Sequence, residues 1–594
     1  MSLLLRLSLL MAMTASLAGA QTSSIKWTPF VFTSSAGDTL SADSARVSVP
    51  ENRSRPGSAR ISLAVVRVRS TAARPGAPII YLAGGPGGAG IGGVRGDLFP
   101  TVAALRTVSD VILFDQRGTG ATLPSLVVRT TFGVPLNISS SSPEAMQALI
   151  ARSTAAAAEV RGRGIDLTSY NTVENADDVD DLRKALGASK LILWGHSYGS
   201  HLGLAYLRRH EPHVERAILG GINGLDHRRR FPRDADALFS RIDSIVKATP
   251  KLRGVMPDFV GTTRRVFARL ATNPTMVHVD SQEILVSKED VQAVIAVQSG
   301  NQSFVQRLPW IIGRLDAGDY SWMALQVRDV IKNRQLGTIM TYPMDLASGV
   351  SRARARQIRE EARTAILGNA INYPFDDPAF RAVWTPADLG PQFRTPVRSK
   401  VPALFISGTL DGRTSLGDAE EVRKGFRKSS HVILAGAAHT PYALNPAIQE
   451  IMVRFARGEE LRDTKLRAAN VELRGPDEPQ LIEELRALVT TRGVEAAIQR
   501  LREMAGPASS HYLSSFVVSG LFQSLVSQNR EAAAAVLSAG LELFPANTFL
   551  LTRLAEVEVA KGDKTAAIAA YQRAVAADPF NRAAAVQLAK LQSQ

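Results

Sequence analysis

Along this chain, apolar residues gather into short, nearly unbroken runs separated by longer stretches of helical spacing. The runs are IIYLA (79–83), VILF (111–114), LILW (191–194), AILG (217–220), ALFIS (403–407) and HVILA (431–435). Such runs predict strands buried on both faces, as in a parallel sheet covered by helices. Ahead of them, RVSVP (46–50) and ISLAVVRV (61–68) flank the turn-rich ENRSRPGSA and predict an antiparallel lead-in hairpin. A helix is expected in NTVENADDVDDLRKALG (171–187). Asn171 and Glu174 are spaced as an N-terminal capping pair, Val179, Leu182 and Leu186 share one face, and Gly187 is placed to end it. The acids Asp177, Asp178, Asp180 and Asp181 are read as structural, suited to the positive end of that helix.

Strand and helix alternate, which predicts an α/β fold. From about 222 to 397 that rhythm breaks. The segment is helical in spacing, interrupted by PW, NYPFDDP and LGPQF, and is expected to be a cap inserted over the sheet. After 457 the texture becomes alanine-rich helix, expected to form a separate region over 458–594. Ala533, Leu537, Gly540 and Pro545 return 34 residues later as Ala567, Tyr571, Ala574 and Pro579. Leu551, Leu554 and Ala555 fill the intervening helix. The period resembles that of a tetratricopeptide repeat. GVEAAIQRLREM (493–504) reads as a further half-repeat, and Glu558 stands where that family usually has tyrosine.

Composition narrows the chemistry. The 594 residues include no cysteine, which excludes disulfides, thiol nucleophiles and thiolate zinc sites. Residues 1–20 combine Arg6, an apolar stretch from Leu7 to Leu17 and Ala18-Gly19-Ala20, the pattern of a secretory signal peptide. The mature chain is expected to begin near Gln21, exported to the periplasm or beyond, with no integral membrane segment left. The net charge of +15 raises a nucleic-acid reading. No nucleic-acid motif accompanies it, however, and the dense groups HRRRFPRD (227–234) and RARARQIREEAR (352–363) are expected to be solvated surface.

LILW runs directly into GHSYG, placing Ser197 between Gly195 and Gly199. G-x-S-x-G arises by accident roughly 0.3 times in a chain of this length and composition, so the motif needs partners. A serine hydroxyl requires a base to take its proton and an acid to orient the base. Open α/β sheets place such groups at the carboxyl ends of strands. Asp411 follows ALFIS and His439 follows HVILA, giving the order Ser, Asp, His. Asp226, beyond AILG, is the alternative acid. The oxyanion of a tetrahedral intermediate would be met by the backbone N–H of Tyr198 and by that of Gly85 in YLAGGPGGAG (81–90). That loop lacks the lysine and the spacing of a phosphate-binding loop.

GGPGG (84–88), DQRGTG (115–120), GHSYGS (195–200), GTLDGRTS (408–415) and AAHT (437–440) together resemble the motif set of the proline iminopeptidase and tripeptidyl aminopeptidase family of α/β-hydrolase serine peptidases. Ala83 stands where proline iminopeptidases usually have histidine, which is closer to the tripeptidyl branch. The resemblance implies an α/β-hydrolase fold and the triad Ser197, Asp411 and His439, with neither metal nor organic cofactor required. It also implies cap carboxylates that hold a substrate α-amino group, for which Glu360 and Glu361 are placed only by position. Asp115 and Arg117 look like an ion pair organising the loop beside the oxyanion hole. His196 and His201 flank the serine and are possible pocket residues, whereas His210 and His213 around Pro212 have no metal-binding geometry.

The leading expectation is an exported serine aminopeptidase. A carboxylesterase with the same triad is the alternative, because an oxyanion hole does not distinguish ester from amide. A reading of another class makes the repeat tail the working part, binding a protein partner or a second copy through its concave face. Packing against the catalytic part is the simpler role for so short an array.

Overall fold

The computed structural model describes residues 25–443, 445–468, 471–578 and 581–593. The expected leader at 1–20 and the repeat position Pro579 lie outside these residues. Fourteen strands are present among them: β1 (Thr28–Thr33), β2 (Thr39–Pro50), β3 (Arg60–Val68), β4 (Ile79–Leu82), β5 (Val111–Phe114), β6 (Val127–Thr131), β7 (Leu191–His196), β8 (Val214–Gly220), β9 (Thr275–Val279), β10 (Gln282–Val286), β11 (Gln335–Thr338), β12 (Ala403–Gly408), β13 (Ser429–Ala435) and β14 (Thr464–Arg467). Ten form one sheet, in the order β1-β2-β3-β5-β4-β7-β8-β12-β13-β14. The lead-in strands pair antiparallel, and from β5 onward every pairing is parallel.

Each of the six apolar runs is a strand of this sheet. β4, β5, β7 and β12 are buried at every position, which is why they carry no polar alternation. Two edge strands escape the apolar pattern. β14, TKLR, alternates half-buried and exposed positions and pairs with β13, so the sheet continues past 457, where the helical tail was expected to begin. β1 was equally unmarked and zips onto β2.

The helix expected at 171–187 runs Thr172–Ala185, and the Asn171 side chain accepts from the N–H groups of Val173 and Glu174, both at 3.0 Å. Glu174 does not complete the pair. Its carboxylate turns to Arg53, accepting from the backbone at 3.0 Å and from the guanidinium at 2.6 Å. The helix acids sit beyond its first turn and act through ion pairs rather than the helix dipole. Asp178 takes Arg117 in a fork of two 2.8 Å bonds, both side chains being fully buried. Arg117 is therefore not the partner of Asp115, correcting the sequence expectation. Asp115 instead accepts from the backbone N–H groups of Ile91 at 2.9 Å and Ala121 at 2.8 Å.

Between β8 and β12 the chain builds the cap, largely helical, with its own apolar core around Phe239, Phe259, Val294 and Ile312. It includes the β9–β10 hairpin, and β11 reaches back to pair with β6. The helix Thr341–Ser348 anchors the cap to the glycine loop, where the Thr341 hydroxyl donates to the carbonyl of Pro86 at 2.8 Å.

Among the described residues, seven helices between Glu478 and Ser593 form the tail, neighbours packing in sequence. The repeat positions Ala533, Leu537, Ala567, Tyr571 and Ala574 are all buried between helices. A Cβ on Gly540 would lie 2.4 Å from Val518, so the repeat's small position marks a close helix approach. The tail docks on the cap. Lys251 Nζ donates to the carbonyls of Met504, Ala505 and Gly506, the free carbonyl end of helix Val494–Ala505, at 3.3, 3.2 and 2.8 Å. Tyr512 donates its hydroxyl to the carbonyl of Leu473 at 2.8 Å.

Candidate active site

β7 delivers Ser197 at a turn that few residues could make. Ser197 has φ +56° and ψ −122°, a left-handed conformation that costs a non-glycine residue on the order of 1–3 kcal/mol. The flanking glycines make the turn feasible. A Cβ on Gly195 would lie 2.4 Å from the carbonyl oxygen of Gly199, and one on Gly199 would lie 1.8 Å from that of Leu82. The spacing is thus imposed by backbone approach, with Ser197 held partly exposed at the apex. Tyr198 opens the helix Tyr198–His210, so its N–H has no intrahelical acceptor. The glycine loop presses against the same apex: a Cβ on Gly84 would meet Ser197 Cβ at 3.0 Å.

β12 and β13 deliver the other two groups. His439 Nδ1 and Asp411 Oδ2 are 2.7 Å apart. Asp411 also accepts from the backbone N–H groups of Arg413 at 2.7 Å and Thr414 at 3.0 Å, and from the Thr414 hydroxyl at 2.7 Å. Burial alone would raise this carboxyl. The His439 imidazole and the Thr414 donors outweigh it and hold the group at about 2. The ring of His439 lies beside the serine turn: its Cε1 would be 2.9 Å from a Cβ on Gly221, and its centroid is 4.8 Å from that of His196. Ser197 itself donates its backbone N–H to the neighbouring Gly220 carbonyl at 2.9 Å. The structure therefore sets the Asp411–His439 pair next to His196 and Gly221, which flank the turn carrying Ser197, and packs the Gly84–Gly85 loop against that turn.

The other sequence-singled residues fall elsewhere. Asp226 accepts from the backbone of Ser351 at 2.6 Å, leaving His439 to Asp411. His201 is fully buried, with Nδ1 against the Gly224 carbonyl at 3.0 Å and Nε2 against the Ser348 hydroxyl at 3.1 Å, so it does not line a pocket. Burial and the nearby Arg228 charge push it down to about 3. His196 supports the site from behind. It lies 3.3 Å from the Tyr442 hydroxyl, and burial, then the His439 ring, push it down to about 3. His210 pairs with Asp177 at 2.8 Å and His213 with the Ser189 carbonyl at 3.2 Å.

The expected amine-binding carboxylates do not reach the cavity. Glu360 is exposed on helix Arg352–Glu361, and Glu361 is ion-paired with Arg233. The expectation for HRRRFPRD also reverses. Arg228 and Arg229 are buried, and with Arg230 they line a cavity of about 480 Å³ under the cap that reaches His439 and Gly85. Their partners, Asp345 and Asp376, are over a hundred residues away in the chain, so local sequence gave no sign of the burial. Thr414, three residues beyond Asp411 in GTLDGRTS, has a site role that the motif alone does not reveal: its hydroxyl bridges the acid and the imidazole, 3.2 Å from His439 Nδ1.

Among the described residues, one cluster outside the site has metal-ligating types. His227, Asp418 and Glu421 bring ligand atoms within 4.8 Å of one another. Arg354 already stands 3.2 Å from Asp418 and 3.8 Å from Glu421, making this an ion-pair knot between the cap and the sheet.

Comparison with known proteins agrees with this architecture. Residues 77–282 match the α/β hydrolase fold family, and residues 380–465, which carry β12, β13 and the Asp411 and His439 positions, match the TAP-like protein family. The tripeptidyl aminopeptidase of Streptomyces lividans is 33% identical over 193 residues, covering 30% of this chain and 34% of that protein. A serine protease of Mycobacterium tuberculosis is 28% identical over 182 residues, covering 30% and 35%. The proline iminopeptidase of Neisseria meningitidis is 29% identical over 147 residues, covering 25% and 33%. The chain thus spans about a third of the length of the curated relatives it matches. Among the described residues no helix is long and apolar enough to cross a membrane. The chain therefore has an α/β-hydrolase core sheet with helical insertions over it.

Proposed function

We propose that this protein is a serine hydrolase that cleaves peptide amides through an acyl-enzyme. Ser197 Oγ attacks the carbonyl. His439 takes its proton and then gives it to the leaving amine, while Asp411 fixes the imidazole through Nδ1 and offsets its charge. The backbone N–H groups of Tyr198 and Gly85 receive the oxyanion. Water, activated by the same imidazole, then releases the acyl group. The observation that carries the reading is the 2.7 Å Asp411–His439 contact beside a serine held in a strained turn. Export rests on the pattern of the first twenty residues.

Peptide rather than ester substrates are favoured by the relatives, which are named as peptidases. Removal of N-terminal residues, the activity named for two of them, is the finer form of this proposal. A carboxylesterase is the second reading, since the triad and oxyanion donors serve either bond. The repeat tail, tetratricopeptide-like in period, is proposed to brace the cap, as its contacts with Lys251 and Leu473 support.

The test compares the purified wild type with Ser197→Ala. The substrates are aminoacyl- and tripeptidyl-nitroanilides, the same peptides with blocked N-termini, and short-chain nitrophenyl esters. Serine-dependent cleavage restricted to free-amine peptides establishes the aminopeptidase. Ester turnover alone establishes the second reading, and turnover that survives Ser197→Ala removes both.

A further inference from the structure

The cavity that reaches His439 and Gly85 is strongly basic. Five arginines line it, Arg228, Arg229, Arg230, Arg334 and Arg413, against one acidic residue, Asp345, with its carboxylate. That carboxylate is committed: Arg228 binds it through Nε, and Arg229 stands 3.8 Å from it. Arg229 has a second acid in Asp376 at 3.0 Å. The remaining three have no ion-pair partner among the described residues. Arg230 donates Nε to the carbonyl of Arg413 at 2.6 Å, and Arg413 donates to the carbonyl of Ala296 at 3.0 Å. Arg334 lies with its guanidinium carbon 5.9 Å from the Phe132 ring centre. Burial, then the neighbouring Arg334 and Arg228 charges, push Arg413 down to about 10, and burial with the Arg413 charge lowers Arg230 further from its ordinary value.

Of the three, Arg334 is exposed at the rim, whereas Arg230 and Arg413 are half-buried against each other with no acid between them, which is costly unless something of opposite sign enters. A free α-ammonium entering this cavity would meet guanidinium groups and find no carboxylate at liberty. Guanidinium forks match carboxylate geometry. A cavity of about 480 Å³ holds a small substrate and so receives one end of it rather than a long chain. We infer that the cap cavity binds a carboxylate of a short peptide substrate, with Arg230, Arg334 and Arg413 as the recognising cations. This assignment rests on the serine-hydrolase reading for the bond that is cut, but the recognition can be measured without any cut.

The test is calorimetric binding to full-length Ser197→Ala. The probes are trialanine as free acid and as amide, and alanyl-alanyl-glutamate and alanyl-alanyl-glutamine with amidated C-termini. At least one carboxylate-bearing probe is expected to bind roughly 10-fold tighter than its neutral counterpart, and the advantage should shrink as salt rises from about 0.05 to about 0.5 M. Preference for free acid over amide identifies the terminal carboxylate; preference for glutamate over glutamine identifies a side chain. Arg334 is exposed and its guanidinium makes no hydrogen bond among the described residues, so Arg334→Met should fold and lose most of the advantage while Arg334→Lys keeps it. Equal or tighter binding of the neutral member in both pairs overturns the inference. Activity surviving Ser197→Ala would instead overturn the serine-hydrolase reading and leave the binding result standing.

Discussion

The backbone N–H of Arg413 donates to Asp411 Oδ1 at 2.7 Å, so one residue braces the carboxylate behind the imidazole and lines the basic cavity with its side chain. The chemistry and the proposed substrate recognition are therefore joined through a single turn after β12. A substrate carboxylate reaching Arg413 would lie close to the group that orients His439.

Asp411→Asn keeps the shape of the acid and removes its charge. In this variant kcat is expected to fall about 10³- to 10⁴-fold with a small change in KM, because the amide neither fixes the imidazole tautomer nor offsets its charge. Steady-state kinetics checks this. A loss of less than about tenfold would take Asp411 out of the triad and reopen Asp226.

Two buried histidines make the fold acid-sensitive. His196 and His201 are held neutral, each pushed from an ordinary value of 6.5 to about 3. A base depressed in the folded state contributes stability above its unfolded value, and that contribution is lost as pH falls from 6.5 towards 3. The expected decline is about 1.4 kcal/mol per pH unit for each ring. Urea unfolding at pH 7, 6 and 5 should show it, with a shallower slope in His201→Gln. Parallel slopes would mean that His201 does not carry the effect.

Arg117 and Asp178 form a fully buried pair joining the loop after β5 to helix Thr172–Ala185. Arg117→Met leaves Asp178 with Arg53 alone and should cost about 3–5 kcal/mol by chemical denaturation. Arg117→Lys should recover only part of this, because an ammonium cannot reproduce the two-bond fork. Full recovery with lysine would show that charge alone matters there.

Ending the chain after Gly475 removes the tail helices and, with them, the Tyr512 contact to Leu473 and the carbonyls that hold Lys251. The thermal midpoint is expected to fall, since a buried face of the cap is uncovered. An unchanged midpoint, with activity retained, would show that the tail does not brace the cap.

The sheet and the serine turn were legible because their causes are local. β7 is apolar at every early position because both faces are covered, and Gly195 and Gly199 are fixed by backbone contacts within a few residues or with the adjacent strand. β1 and β14 were hidden because edge strands need not be apolar. The cap was the least legible part, and for a physical reason. Whether an arginine is solvated or buried depends on which acid meets it, and Asp345 and Asp376 reach Arg228 and Arg229 only through the fold. His201 shows the same limit: one turn along the helix from Ser197 it faces Gly224 and Ser348, not the pocket.

The central claim is that Ser197 becomes acylated, and the direct measurement is mass spectrometry of the protein quenched during turnover of a nitrophenyl ester or after reaction with a serine-directed phosphonate. One adduct per chain is expected, located on the peptide containing Ser197, absent in Ser197→Ala and formed far more slowly in His439→Ala. An adduct at another residue, or undiminished turnover in Ser197→Ala, would contradict it.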